Sequence, residues 1–205
     1  MTQPQARPLR LGVFGGAFDP PHVAHRVLVE AALAQLQLDR LHVIPTGQAW
    51  HKARELSPAQ HRVAMAQLAF SDIPAVQIDT REVERAGPSY TIDTLQELRS
   101  DNPDAELFLI IGQDQAVSFS HWRAWREIVE LATICVAARG EVAGQAPQFE
   151  PPEGLQSRFV TLHLPISDIS ATDIRRRAAA GQGFEPLVCA PVARYIVLHR
   201  LYQAT

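Results

Sequence analysis

Residues 15 to 25 carry the clearest chemistry in this chain. They read Gly15-Gly16-Ala17-Phe18-Asp19-Pro20-Pro21-His22-Val23-Ala24-His25. Two consecutive glycines let backbone N–H groups approach an anion closely, because no Cβ stands in the way. His22 and His25 are three positions apart, so a helix starting there carries both imidazoles on one face of its first turn. A helix N-terminus already favours negative charge through its unpaired N–H groups and its dipole. Imidazoles added there donate hydrogen bonds to phosphate oxygens without a fixed charge that would retain an anionic product. A lone Gly-Gly pair is usually a turn, and a lone histidine is usually a surface or core-edge residue. Their combination after an apolar run reads as a phosphate site. The Gly-x-Gly-x-x-Gly dinucleotide fingerprint and the Walker A loop are both absent from the sequence. A second anion site is expected at Ser170-Ala171-Thr172, which opens another helix. In the run Arg175-Arg176-Arg177 that follows, Arg176 and Arg177 read as a solvated face.

These residues need a scaffold that holds them at the ends of strands. Leu9 to Phe14 is a short apolar run ending at Gly15-Gly16, as a buried strand does. His22 to Leu36 repeats apolar residues at helical spacing, and Leu41 to Ile44 is a second strand stopped by Pro45. That order makes a βαβ unit, whose crossover is right-handed and whose strands are parallel. Ser57-Pro58-Ala59-Gln60 predicts a capped helix with Ser57 as N-cap, running to about Phe70. Strands follow at 76–78, 107–111, 133–137 and 159–164. Helices are expected at 91–99, around Trp122 and Trp125, at 170–180 with Ser170 as N-cap and Gly181 as stop, and at 191–201. The sum is an α/β fold: a single doubly wound, Rossmann-like domain over residues 1–205, with a mostly parallel sheet and helices on both faces. Residues 1–8 are expected to be disordered, and the Gly-, Pro- and Gln-rich stretch 139–154 to form a surface loop.

Composition excludes several classes of function. The 205 residues carry 22 acidic against 19 basic side chains, a net charge of −3, which argues against a nucleic-acid binder working through a basic face. One lysine, Lys52, stands among those 19 cations; the rest are arginine. Cys135 and Cys189 lie in apolar runs outside any metal-ligand spacing, so both read as buried free thiols, and no protein-bound metal site is expected. No apolar run is long enough to span a membrane, and the N-terminus lacks a signal-peptide core, so the expected location is the cytoplasm.

The block Gly15 to His25 resembles the Gly-Gly-x-Phe-Asp-Pro-x-His-x-Gly-His signature of the HxGH nucleotidyltransferases. Pro88-Ser89-Tyr90-Thr91 with Thr94-Leu95, Ile110-Ile111-Gly112-Gln113-Asp114, Trp122, and Ile169-Ser170-Ala171-Thr172-Asp173-Ile174-Arg175 are similar to blocks of the bacterial nicotinate-nucleotide adenylyltransferases. The blocks fall in that family's order and span most of the chain. The resemblance implies transfer of AMP from ATP to nicotinate mononucleotide on the route to NAD, with Mg²⁺ accompanying ATP. It places His22, His25, Lys52 and Arg175 in catalysis, and Gly15, Gly16, Ala17, Phe18, Ser170, Thr172 and Arg175 on ATP. Asp19 is expected to shape the loop or assist the metal site indirectly rather than act as a base. Tyr90, Thr91, Asp114, Trp122 and Arg123 are implied on the mononucleotide, with Trp122 as the aromatic face for the pyridine ring, while Trp125 reads as core.

This chain departs from the family pattern at defined places. Ala24 stands for the HxGH glycine, Ala17 for a hydroxyl residue, and Ala49-Trp50 for two prolines before His51-Lys52. Arg139-Gly140 replaces Arg-Pro-Gly, which leaves Arg139 without an assigned role. The rival readings are phosphopantetheine adenylyltransferase, preference for the nicotinamide mononucleotide, and a non-catalytic nucleotide sensor on the same fold. A class I tRNA synthetase fragment is excluded, because a Lys-Met-Ser-Lys-Ser element needs two lysines. Oligomeric state is not encoded in any feature of the sequence.

Overall fold

The computed structural model describes residues 7–47, 55–139 and 149–203. Six strands form one sheet: β1 (Arg10–Gly16), β2 (Arg40–Pro45), β3 (Val76–Ile78), β4 (Glu106–Gly112), β5 (Ala132–Arg139) and β6 (Phe159–Leu164). Their order is β3-β2-β1-β4-β5-β6 and every pair is parallel. The expected mostly parallel sheet is therefore parallel throughout. The order reverses between β1 and β4, which opens a crevice at the C-terminal ends of those two strands.

Alternation along the strands builds two cores. On β4, Leu107, Leu109 and Ile111 face one side, while Phe108 and Ile110 face the other. The first side packs against α4 (Thr91–Asp101) and α6 (Trp125–Leu131) through Ile92, Leu95, Leu98, Ile128 and Val129. The second packs against α1 (Val23–Gln35), α2 (Ala59–Phe70) and α8 (Ala190–Leu198), through residues such as Val29, Met65 and Val192. Short helices α3 (Arg81–Glu84) and α5 (Gln113–Val117) and the longer α7 (Ala171–Ala179) complete the layers. A sheet buried on both faces explains why its strands read as continuous apolar runs rather than alternating ones.

Several expectations need correction. Ser57 is not the cap of α2: Pro58 is, and no side-chain cap forms. Ser57 is instead held by its backbone, its N–H donating to Asp19 Oδ2 (3.1 Å) and its carbonyl accepting from Arg62 Nε (2.9 Å). Trp122 lies in the turn between a 3₁₀ segment (Phe119–His121) and α6, not in a helix. Helices α3 and α5 were not signalled, being too short to show a period. Within 1–8, Arg7 is described and pairs with Asp39 at 2.6 Å. By contrast, Ser170 Oγ does accept from Asp173 N (3.2 Å) at the start of α7, and Gly181 ends that helix region at φ +64°.

Candidate active site

An open cleft of about 1620 Å³ lies at the switch point. Its floor is Gly15 to Asp19 at the end of β1 and just beyond, with His22 and His25 beside it, and Gly112 to Asp114 at the end of β4 and just beyond. Ser170, Thr172 and Arg175 at the start of α7 form the opposite wall. A Cβ built on Gly15 meets nothing within 4 Å, so a side chain there would stand in open space at the cleft. On Gly16 it would come within 3.0 Å of the Phe18 ring, so the turn fits closely over that ring only without a side chain.

His22 caps α1 with extended backbone, and its N–H donates to His25 Nδ1 at 3.1 Å. An imidazole accepting at Nδ1 carries its proton on Nε2, so the other ring nitrogen of His25 is the donor. The two imidazoles stack at 3.7 Å. The ring of Phe18 meets His25 nearly edge-on at 5.3 Å, and Phe14 lies 6.0 Å away. Phe18 itself is 2% exposed. It also lines the cleft, and its side chain packs in the core as a buttress beneath His25. Phe18 also takes φ +47°, an uncommon backbone for a bulky residue, held by packing on both sides.

Hydrogen bonds tie the two walls of the cleft together. Arg175 Nη1 donates to the Asp19 carbonyl (2.7 Å) and Nη2 to Thr172 Oγ1 (3.0 Å). The Asp19 carboxylate is buried and accepts from Ser57 N and from Tyr202 Oη (2.7 Å). Burial, reinforced by that carboxylate, raises the Tyr202 phenol well above its ordinary pKa, so it stays a donor. Asp19 thus shapes the loop, as expected. Arg176 and Arg177 pair with Asp173 on the exposed side of α7.

Two residues that brace the cleft loop have no place among the expected site residues. Arg62 is 3% exposed and donates to the carbonyls of Ala17 (3.1 Å), Thr46 (2.7 Å) and Ser57 (2.9 Å). Its signal was available: it shares the buried face of α2 with Met65, Ala66, Ala69 and Phe70, where a cation is out of pattern. Tyr202 gave no local signal.

The residues expected around the mononucleotide separate. Asp114 is exposed and lines the cleft. Tyr90, Thr91, Trp122 and Arg123 are not among its lining residues. Three of these four are gathered by the β4-side core and one stacking contact: Tyr90 and Trp122 pack partly buried against that core, and the Arg123 guanidinium lies 4.5 Å over the Tyr90 ring. Thr91 begins α4 behind Tyr90. Trp125 also packs on that core, as expected. Lys52 and His51 lie outside the described residues, as does the Arg139 side chain.

The cytidylyltransferase-like family model matches residues 13–177. A protein of Albidiferax ferrireducens named probable nicotinate-nucleotide adenylyltransferase is 58% identical over 194 residues, covering 95% of this chain and 98% of its own length. The chain belongs to the nicotinate-nucleotide adenylyltransferase family. Another relative of that name, from Methylibium petroleiphilum, is 43% identical and covers 94% of this chain and 92% of itself. The fold is that of the nicotinic acid mononucleotide adenylyltransferase of Plasmodium falciparum, solved with APC and with NaAD. Both structures superpose with TM-scores of 0.74 at 16% and 18% identity, over 94% of this chain and 96% and 97% of theirs. For a nicotinate-nucleotide adenylyltransferase, the Ala24 and Ala17 departures are mild: both keep the backbone, and α1 begins normally at Val23.

Proposed function

We propose that this chain transfers AMP from ATP to nicotinate mononucleotide, releasing pyrophosphate and nicotinate adenine dinucleotide. The observation that carries this is the bond from Arg175 to the Asp19 carbonyl, which faces two sets of phosphate donors across one cleft. A 5′-phosphate oxygen of the mononucleotide attacks the α-phosphorus of ATP. The new P–O bond forms as the bond to the bridging oxygen of the β-phosphate breaks, and that electron pair leaves with pyrophosphate. The attacking oxygen is already an anion, so no general base is needed. Catalysis is then alignment plus stabilisation of charge on the phosphoryl oxygens.

His25 Nε2 donates to the transferring phosphoryl group, with His22 beside it. The amides from Gly15 to Phe18 complete the cradle. Ser170, Thr172 and Arg175 hold the outer phosphates, and Lys52 adds a compact point charge. Asp114 takes a ribose hydroxyl, while Trp122, Tyr90, Thr91 and Arg123 form the pyridine side. Magnesium enters as a partner of ATP. No group of three or more His, Cys, Asp or Glu suited to a resident ion occurs among the described residues. No described helix is long and apolar enough to cross a membrane, and we place the enzyme in the cytoplasm, working without nucleic acid.

The test is pyrophosphate release from Mg-ATP with nicotinate mononucleotide, nicotinamide mononucleotide and phosphopantetheine in parallel. Fastest turnover with the first supports the assignment. Best turnover with phosphopantetheine, or none with any acceptor, overturns it. Trp122→Ala is expected to raise KM for the mononucleotide about tenfold, the loss of one base-sized stacking contact, with kcat little changed.

A further inference from the structure

We propose that Tyr202 is a positioning residue for the adenylyl transfer, holding the phosphate cradle from the far end of the chain through Asp19. This rests on the cradle assigned above. After α8 the chain turns back sharply: Arg200 and Tyr202 adopt φ +50° and +66°. Such backbone is strained for non-glycine residues and persists only where the surroundings fix it. Here the turn delivers the Tyr202 hydroxyl to Asp19 Oδ1 at 2.7 Å, across 183 residues of sequence.

Asp19 is only 2% exposed, and a buried carboxylate depends on its donors. Tyr202 supplies one and the Ser57 N–H another. The same residue offers its carbonyl to Arg175. Ser57 passes the constraint to Arg62, which returns it to the Ala17 carbonyl. Ala17 and Asp19 flank Phe18, the ring under His25. A shift of the Asp19 carboxylate therefore moves the cradle backbone and Arg175 together. In-line transfer is steep in such displacements, so a small shift lowers kcat without removing any group that touches substrate.

The test is Tyr202→Phe, assayed at a temperature well below its melting point. We expect kcat to fall about tenfold and affinity for a non-hydrolysable ATP analogue to fall about threefold, with KM for the mononucleotide within about twofold. Tyr195→Phe is the control, since it loses a comparable bond to His61 on α2 (3.0 Å) away from the cleft; it should keep full kcat. Asp19→Asn keeps the shape but replaces one acceptor by a donor, and should lower kcat at least as much. In that background Tyr202→Phe should have no further effect. A Tyr202→Phe kcat within about twofold of the parent overturns the proposal, as does an equal loss in Tyr195→Phe or full additivity with Asp19→Asn. If the parent enzyme fails to use nicotinate mononucleotide, the substrate assignment fails, and the ATP-analogue affinities still decide the role of Tyr202.

Discussion

His25 has two jobs on its two ring nitrogens, and two substitutions separate them. Nδ1 accepts the His22 N–H at 3.1 Å and so satisfies one of the open donors at the start of α1. In the proposed reaction Nε2 is the donor toward phosphate. In His25→Asn, the amide oxygen takes the place of Nδ1 and preserves the cap, but no atom reaches the Nε2 position. In His25→Gln, the amide nitrogen reaches that position and the cap is lost. His25→Ala loses both, and all three variants lose the ring contact with Phe18. Losing the cap costs about 1 kcal/mol and losing the ring contact about 0.5–1.5 kcal/mol. For a chain of this size each kcal/mol lowers Tm by roughly 2–4 °C. Losing one transition-state donor costs roughly 10²–10³ in kcat. The expected pattern is a crossover. His25→Asn keeps Tm within about 6 °C of the parent and loses kcat by at least a hundredfold, while His25→Gln melts lower yet retains more activity. Calorimetry and steady-state pyrophosphate release on the same preparations give both axes. If His25→Asn turns over within about threefold of the parent, Nε2 does not touch the reacting phosphate and the assigned role is wrong.

Gly15→Ala should leave stability equal or raise it by up to about 1 kcal/mol, since its Cβ has room, yet reduce kcat/KM by roughly 10–100-fold by displacing a phosphate from its amide donors; a stable and fully active variant would show that phosphate does not come near that turn. Asp79 is pushed up by burial but pulled down more strongly by His42 (2.9 Å) and Arg81, to about 2 against an ordinary 3.8. Its stabilisation is therefore complete above pH 3.8 and lost as pH falls toward 2, about 1–2 kcal/mol after allowing for solvent on the carboxylate, and Asp79→Asn should flatten acid unfolding in that window. Burial raises the Cys135 thiol to about 12, so a thiol reagent at pH 8 should label it only on unfolding; rapid labelling of the native protein would contradict that burial.

Much of the scaffold was legible because its information is local. Leu107 to Ile111 is apolar at every position since β4 is buried on both faces, and Gly112 marks where the strand ends at the cleft. His22 and His25 were legible for the same reason: their partnership is three residues long. The failures are tertiary. Ser57 followed by Pro58 has every local mark of a helix cap, but Asp19 and Arg62 claim its backbone and the helix begins one residue later. At Phe18 the φ of +47° and the packing of the ring into the core beneath His25 are likewise set by tertiary contacts that no local pattern shows. Arg175 meets Asp19 across 156 residues, and no spacing rule reaches that far.

These long-range bonds also explain how a chain with net charge −3 can be built to bind polyanions. Bulk charge would attract phosphate at long range but would hold the substrate, the transition state and pyrophosphate alike, which does not speed turnover. The cleft instead gathers donors whose strength depends on position: backbone amides, a histidine fixed in one tautomer, and an arginine anchored to a backbone carbonyl. Such donors discriminate by geometry, favouring the charge distribution that exists at the moment of transfer. Their value depends on being held still, which falls to buried residues that never meet the nucleotide. Arg62 binds three carbonyls at the back of the cradle, and Phe18 braces His25 from below. On this reasoning, loss of alignment should cost this enzyme more than loss of charge. Arg62→Lys, which keeps the cation but not the fork that spans those carbonyls, should therefore behave like a deletion rather than a conservative change.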